Sequence, residues 1–198
     1  MNAPAPAREP AVMRFARWVS ILGHPFVMAV VMAVVAGLHF SDGMGGAPTA
    51  LLTTLPILPV AWLMRRQVRA GAWEHVDASR RSERPVLYLV ATVSFAVVLF
   101  GLWWWQPQSY LLRGVVGGLA LVLACALVNR WIKVSLHMAF AALAATVLSL
   151  LPSVVGFVLL AALPLIAWSR LRLARHTGVE VVLGVVLGAV AGLAIRFA

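Results

Sequence analysis

The chain has 198 residues, of which 63% are hydrophobic and only 11% charged, and its mean hydropathy is +0.96. This excludes an ordinary soluble domain and reads as an all-α, polytopic transmembrane helical bundle, whose continuous apolar runs also exclude a short-strand β-barrel. The net charge of +10 has no soluble domain to display it to a duplex, so no nucleic acid partner is expected and the cations are assigned to cytoplasmic loops and anionic headgroups.

In chain order, Met1–Pro10 reads as a disordered tail and Ala11–Leu22, with Arg14 and Arg17, as an interfacial helix. No removable signal peptide is expected, because no small-residue cleavage site follows the first apolar run. His24–Phe40 is just long enough to span, Ser41–Pro48 is a Gly-rich turn, and Ala50–Met64 returns, kinked at Pro56 and Pro59. Arg65–Arg84 is the longest polar segment and carries Glu74, Asp77 and Glu83. Val86–Trp105 spans and ends in an aromatic girdle, Tyr110–Val128 spans back, and Asn129–Lys133 is a short polar break. Residues 137–168 as one helix would be about 48 Å long, so they are expected to form a tight hairpin of His137–Leu151 and Val154–Trp168 broken at Pro152-Ser153. Val179–Ile195 closes a count of six to seven spans, all within one membrane-embedded domain, residues 1–198. The lone Cys125 lies mid-span, which excludes a disulfide within one chain.

The polar segments around Arg84, Ser135 and Arg170 follow the second, fourth and sixth of these spans and so share one side of the membrane with the N-terminus. Of the sixteen Lys/Arg, all but Arg113 and Arg196 fall there. The positive-inside rule makes that side cytoplasmic, as in a bacterial-type inner membrane.

The densest polar cluster is Ser169–Glu180. His176 and Glu180 are four apart, so at a helix start they share a face, and a carboxylate behind an imidazole fixes its tautomer. The plain alternative is a basic loop anchoring the span at the headgroups, a role given to Arg172 and to Arg175. Gly184, Gly188 and Gly192 continue as a small-residue ridge, which reads as close packing inside the chain in preference to a homo-oligomer contact. His24, His39 and His75 show no partner pattern and read as interfacial.

Three motifs on that one side carry a family resemblance: Arg84-Pro85, then Ser135-Leu136-His137, then Ser169-Arg170, five residues, His176, three residues and Glu180. Together they resemble the type 2 phosphatidic acid phosphatase superfamily of integral membrane lipid phosphatases. That family shows Lys, six residues and Arg-Pro; then Pro-Ser-Gly-His; then Ser-Arg, five residues, His, three residues and Asp. Here Glu180 replaces the Asp, Val134 and Leu136 replace the Pro and Gly, and Asp77 stands where the Lys is usual. The resemblance covers residues 77–198 and does not cover the first two spans; residues 1–23 are read as tail and interfacial helix.

The resemblance implies a phosphatase core in the C-terminal helices and a lipid or polyprenyl phosphate as substrate. Arg84 and Arg170 would clamp the phosphate with help from Ser135 and Ser169, Lys133 would contact substrate or snorkel, and Arg80 or Arg81 would supply the missing cation. His176, oriented by Glu180, would attack phosphorus. His137 would protonate the leaving oxygen and then activate water. No cofactor and no metal is implied. A membrane prenyltransferase would need two Asp-rich magnesium motifs, and the chain has six acidic residues in all. The competing readings are transfer to an acceptor other than water, and a non-catalytic lipid-binding or transport protein on the same scaffold.

Overall fold

The computed structural model describes residues 10–40, 52, 54–78, 80–105 and 110–197; the expectations for residues 1–9 and for the turn at Ser41–Pro48 lie outside them. Among the described residues the helices are α1 (Ala11–Leu22), α2 (Pro25–His39), α3 (Ile57–Arg69), α4 (Arg84–Trp105), α5 (Tyr110–Val128), α6 (Leu136–Ser149), α7 (Val154–Arg172) and α8 (Gly178–Phe197), with a 3-10 turn at Arg81–Glu83 before α4. No strand occurs among the described residues, as the continuous apolar runs dictate.

Among the described residues, four helical segments can cross a membrane by length and composition: 81–104, Tyr110–Val128, Val154–Arg172 and Gly178–Ile195. The pair α1 and α2, bent by 46° at Gly23-His24, makes a fifth if it is one span. This is fewer than the six to seven spans expected. Of Ala50–Met64, residues 50, 51 and 53 lie outside the described residues. The described part is α3, which runs on to Arg69 and carries Arg65 and Arg66 within it. Its 13 residues reach about 20 Å, short of the ~30 Å hydrocarbon core.

The bundle is organised around α6. From Met138 to Ala145 every side chain is buried, as is Leu148, because a helix that is apolar all round is stable only with neighbours on every face. Its many alanines let those neighbours come close. Against one side lies α8: a Cβ on Gly184 would stand 2.6 Å from the carbonyl oxygen of Ser135, one on Gly188 would strike the carbonyl of Ala139, and one on Gly192 would stand 2.8 Å from Thr146 Cβ. The glycine ridge is thus used within the chain, as its spacing suggests. On another side α7 returns as the expected hairpin, with Gly156 set against the backbone of Leu148 and Ser149. α2 packs on α6, α5 on α4 and α8, and α1 on α7, where Phe15 meets Trp168 with ring centroids 5.8 Å apart.

This arrangement brings the starts of α2, α4, α6 and α8 to one end of the bundle, together with the end of α7. Positive helix-dipole ends and basic side chains therefore collect there.

Candidate functional site

The third motif is built by two helix-terminal devices. α7 is longer than expected and runs through Ser169 and Arg170 to Arg172. It stops in a Schellman turn: the Arg175 N–H donates to the Arg170 carbonyl at 3.1 Å and the Ala174 N–H to that of Leu171 at 3.0 Å. Ala174 takes the left-handed backbone this requires, φ 52°, where glycine is usual. The reversal turns His176 back against the bundle, where it is 8% exposed.

α8 then opens on a capping box. The Thr177 hydroxyl accepts the Glu180 N–H at 3.4 Å, and Glu180 Oε2 accepts the Thr177 N–H at 3.3 Å. The same Oε2 meets His176 Nδ1 at 2.7 Å and lies 3.6 Å from Lys133 Nζ. With Nδ1 facing a carboxylate, the ring proton belongs on Nδ1 and Nε2 carries the lone pair. Lys133 also donates to the Arg175 carbonyl at 2.6 Å, so it pins the loop behind His176. The α6 start is fixed to the same turn, since the Ser135 N–H donates to the Glu180 carbonyl at 3.1 Å.

Two buried arginines stand nearby. Arg84, 2% exposed, opens α4 and donates through Nε to the carbonyl of Ala78 at 3.1 Å and through Nη1 to that of Val134. It thereby stitches the first motif to the second. Arg170, also 2% exposed, donates through Nη1 to Ser20 Oγ at 2.6 Å and through Nη2 to Asp77 Oδ2 at 2.7 Å. Its Nε is buried with no hydrogen-bond partner among the described residues. Asp77 thus holds one arm of the arginine fork.

The remaining expected residues divide. His137, in the first turn of α6, is 5% exposed and its ring lies 5.1 Å from that of His24. His24 is therefore not an unpartnered interfacial residue. It is the N-cap of α2, its Nδ1 accepting the Phe26 N–H at 3.2 Å; Pro25 at the first helical position was the legible signal of a helix start there. Ser135 is fully buried, and its Oγ has no partner among the described residues. Ser169 turns its hydroxyl back to the Ile166 carbonyl at 2.7 Å, a helix-internal bond. Neither Arg80 nor Arg81 fills the lysine's place. Arg80 pairs with Glu74 at 3.2 Å, and Arg81 donates to the carbonyls of Trp131 and Arg130 at 2.8 and 2.6 Å.

A cavity of about 430 Å³ has His24, Asp77, Arg84, His137, Arg170 and His176 at its head. Ser135, Ser169, Lys133 and Glu180 stand behind this wall and do not line it. Below the head the walls are apolar, with Ala33, Ala91, Phe140 and Leu143 among them, and the far end lies at Phe40, Tyr110 and Arg113. Along α2 the lining runs from Phe26 to Phe40, about 21 Å at 1.5 Å per residue. The shape suits one polar head and an extended apolar chain.

Charge and burial set the state of the groups outside the spans. Burial pushes His176 from 6.5 down to about 2, and Arg84, Arg170 and Lys133 push the same way. The imidazole is therefore neutral over the whole working range and can act as a nucleophile. Burial also lowers Lys133, against which Glu180 acts. Among the described residues, no group of three or more His, Cys, Asp or Glu side chains is arranged to hold a metal ion. A scan of protein-family models and searches of curated proteins and solved structures find no significant match to this chain.

Proposed function

We propose that this chain is a membrane phosphatase that hydrolyses a lipid or isoprenoid phosphate or diphosphate through a phosphohistidine intermediate, as its resemblance to the type 2 phosphatidic acid phosphatases implies. One observation carries the reading: His176, backed by Glu180 at 2.7 Å, lies with Arg84 and Arg170 at the head of an apolar cavity.

In this scheme the apolar chain of the substrate lies along the cavity and its phosphate at the head. His176 Nε2 forms a bond to phosphorus while the bond to the lipid oxygen breaks, and His137 gives that oxygen a proton. Glu180 stabilises the charge that develops on the imidazole. A water then gives its proton to His137 and attacks phosphorus, the N–P bond breaks, and phosphate leaves. Arg170 and Arg84 stabilise the oxygens of the phosphoryl group in both steps. No metal enters the scheme. We place the N-terminus and the site on the cytoplasmic side of a bacterial-type inner membrane, with six to seven crossings.

The test is phosphate release from phosphatidic acid and farnesyl diphosphate in detergent with a chelator present. The reading expects release by wild type and its loss in His176→Ala. Strict dependence on magnesium would overturn the histidine scheme. The Asp77–Arg170 ion pair favours a second reading, a non-catalytic lipid-binding or transport protein, which lipid binding without release in wild type would support. Phosphate appearing on an added alcohol would point instead to transfer.

A further inference from the structure

We propose that Asp77 sets the charge of the anion that this site accepts, making it select a phosphate group with one negative charge over a fully ionised monoester or a diphosphate. The inference rests on the phosphate-ester reading and narrows its substrate class.

Three observations carry it. First, the Asp77 carboxylate sits where an incoming phosphate oxygen would seek Arg170: Oδ2 is 2.7 Å from Nη2. The pair is shielded, with the Arg170 side chain 3% and the Asp77 side chain 20% exposed, so water screens it little. Second, the charged groups lining the head are Asp77, Arg84 and Arg170. Two guanidiniums and one carboxylate leave a single net positive charge. A lysine at position 77 would leave three, which suits a dianion or a diphosphate. Third, neither nearby arginine of the same segment restores the lost charge, since Arg80 is held by Glu74 and Arg81 by two backbone carbonyls.

A ligand with one negative charge can be held between Arg84 and Arg170, which both line the head, while Asp77 keeps its arm of the fork. A second negative charge in the same low-dielectric head would face that carboxylate directly. The candidates are therefore a lipid phosphodiester, or a monoester taken up with one proton still attached. For a diester the covalent steps are unchanged: the Nε2–P bond forms as the bond to the longer alcohol breaks, His137 protonates that alcohol, and water then releases the shorter alkyl phosphate.

The experiment uses full-length protein in detergent and two single-chain probes, dodecyl phosphate and methyl dodecyl phosphate. It is run near pH 8, about two units above the second phosphate pKa of roughly 6, so that the monoester is a dianion. The ratio of kcat/KM for diester over monoester is read in wild type, Asp77→Asn and Asp77→Lys. Asp77→Asn keeps an oxygen for Arg170 Nη2, so the fork stays seated. The inference expects a ratio above one in wild type, a fall of about tenfold or more in Asp77→Asn, and a further fall in Asp77→Lys. A ratio unmoved by Asp77→Asn overturns it. Binding of the two probes by the His176→Ala variant repeats the comparison without turnover, so a catalytically silent protein still decides the question. If wild type turns over neither probe but His176→Ala binds them with the expected preference, the phosphatase reading fails and the charge selection stands. If neither probe is bound or turned over, both fail.

Discussion

Arg170 on α7 donates to Asp77 at 2.7 Å across a sequence separation of 93 residues, and in doing so it ties the polar segment before α4 to the last turn of α7. Ser20 of α1 takes the other arm at 2.6 Å. Removing one partner of a buried pair leaves an uncompensated charge, which typically costs about 3–5 kcal/mol. Asp77→Ala is therefore expected to destabilise the protein by about that much, and Asp77→Asn by clearly less. Thermal unfolding in detergent checks the order; equal losses would contradict a buried charge pair.

The pH response of His176 has a defined sign. Its folded pKa, about 2, lies below its ordinary 6.5, so between these values the unfolded chain holds a proton that the folded chain does not. The His176 contribution to stability is thus complete above pH 6.5 and declines as the pH falls toward the folded value. Across the same range the folded imidazole stays neutral. Ring nitrogen shifts of labelled His176 are expected to stay constant between about pH 8 and about pH 5, and an imidazolium signal appearing near 6.5 would contradict the burial argument.

Glu180 has two jobs that one substitution separates. Glu180→Gln keeps an acceptor for the Thr177 N–H but loses the charge facing His176 Nδ1. Unfolding is expected to shift by less than about 1 kcal/mol, while kcat falls on the order of a hundredfold with KM little changed. Glu180→Ala is expected to lose both. An equal loss of stability in the two variants would reduce Glu180 to a cap.

The glycine ridge predicts a contrast. A methyl at Gly188 would strike the Ala139 carbonyl, whereas one at Gly101 or Gly114 meets nothing within 4 Å. Gly188→Ala is expected to cost about 1–3 kcal/mol by overpacking, and Gly101→Ala to be neutral or slightly stabilising. Denaturation of the two variants side by side checks it.

Sidedness can be read with a single thiol. Cys125 is fully buried, so a cysteine at Arg66, on the exposed side of α3, reports alone. It is expected to resist impermeant reagents applied outside intact cells. Ready labelling would move the site to the opposite face of the membrane.

Some of this molecule was legible in single stretches of sequence. Continuous apolar runs separated by basic breaks determined an all-helical, membrane-type chain, because backbone groups in hydrocarbon must pair within their own segment. The spacing of His176 and Glu180 pointed to their contact at 2.7 Å, but not to its geometry. His176 precedes the Thr177 cap and lies outside α8, which starts at Gly178, so the turn after α7 and not a shared helix face brings the ring to the carboxylate. Thr177-Gly-Val-Glu180 spelled a capping box as well, a second local signal. Long-range pairings were beyond such reading. That Asp77 binds Arg170, that Arg84 is held by the carbonyls of Ala78 and Val134, and that His24 sits beside His137 depend on where four helix starts meet. The length of α3 and the burial of α6 on every side were likewise decided by packing. Local periodicity says which face of a helix is apolar, and only the tertiary arrangement says which polar groups that face is packed against.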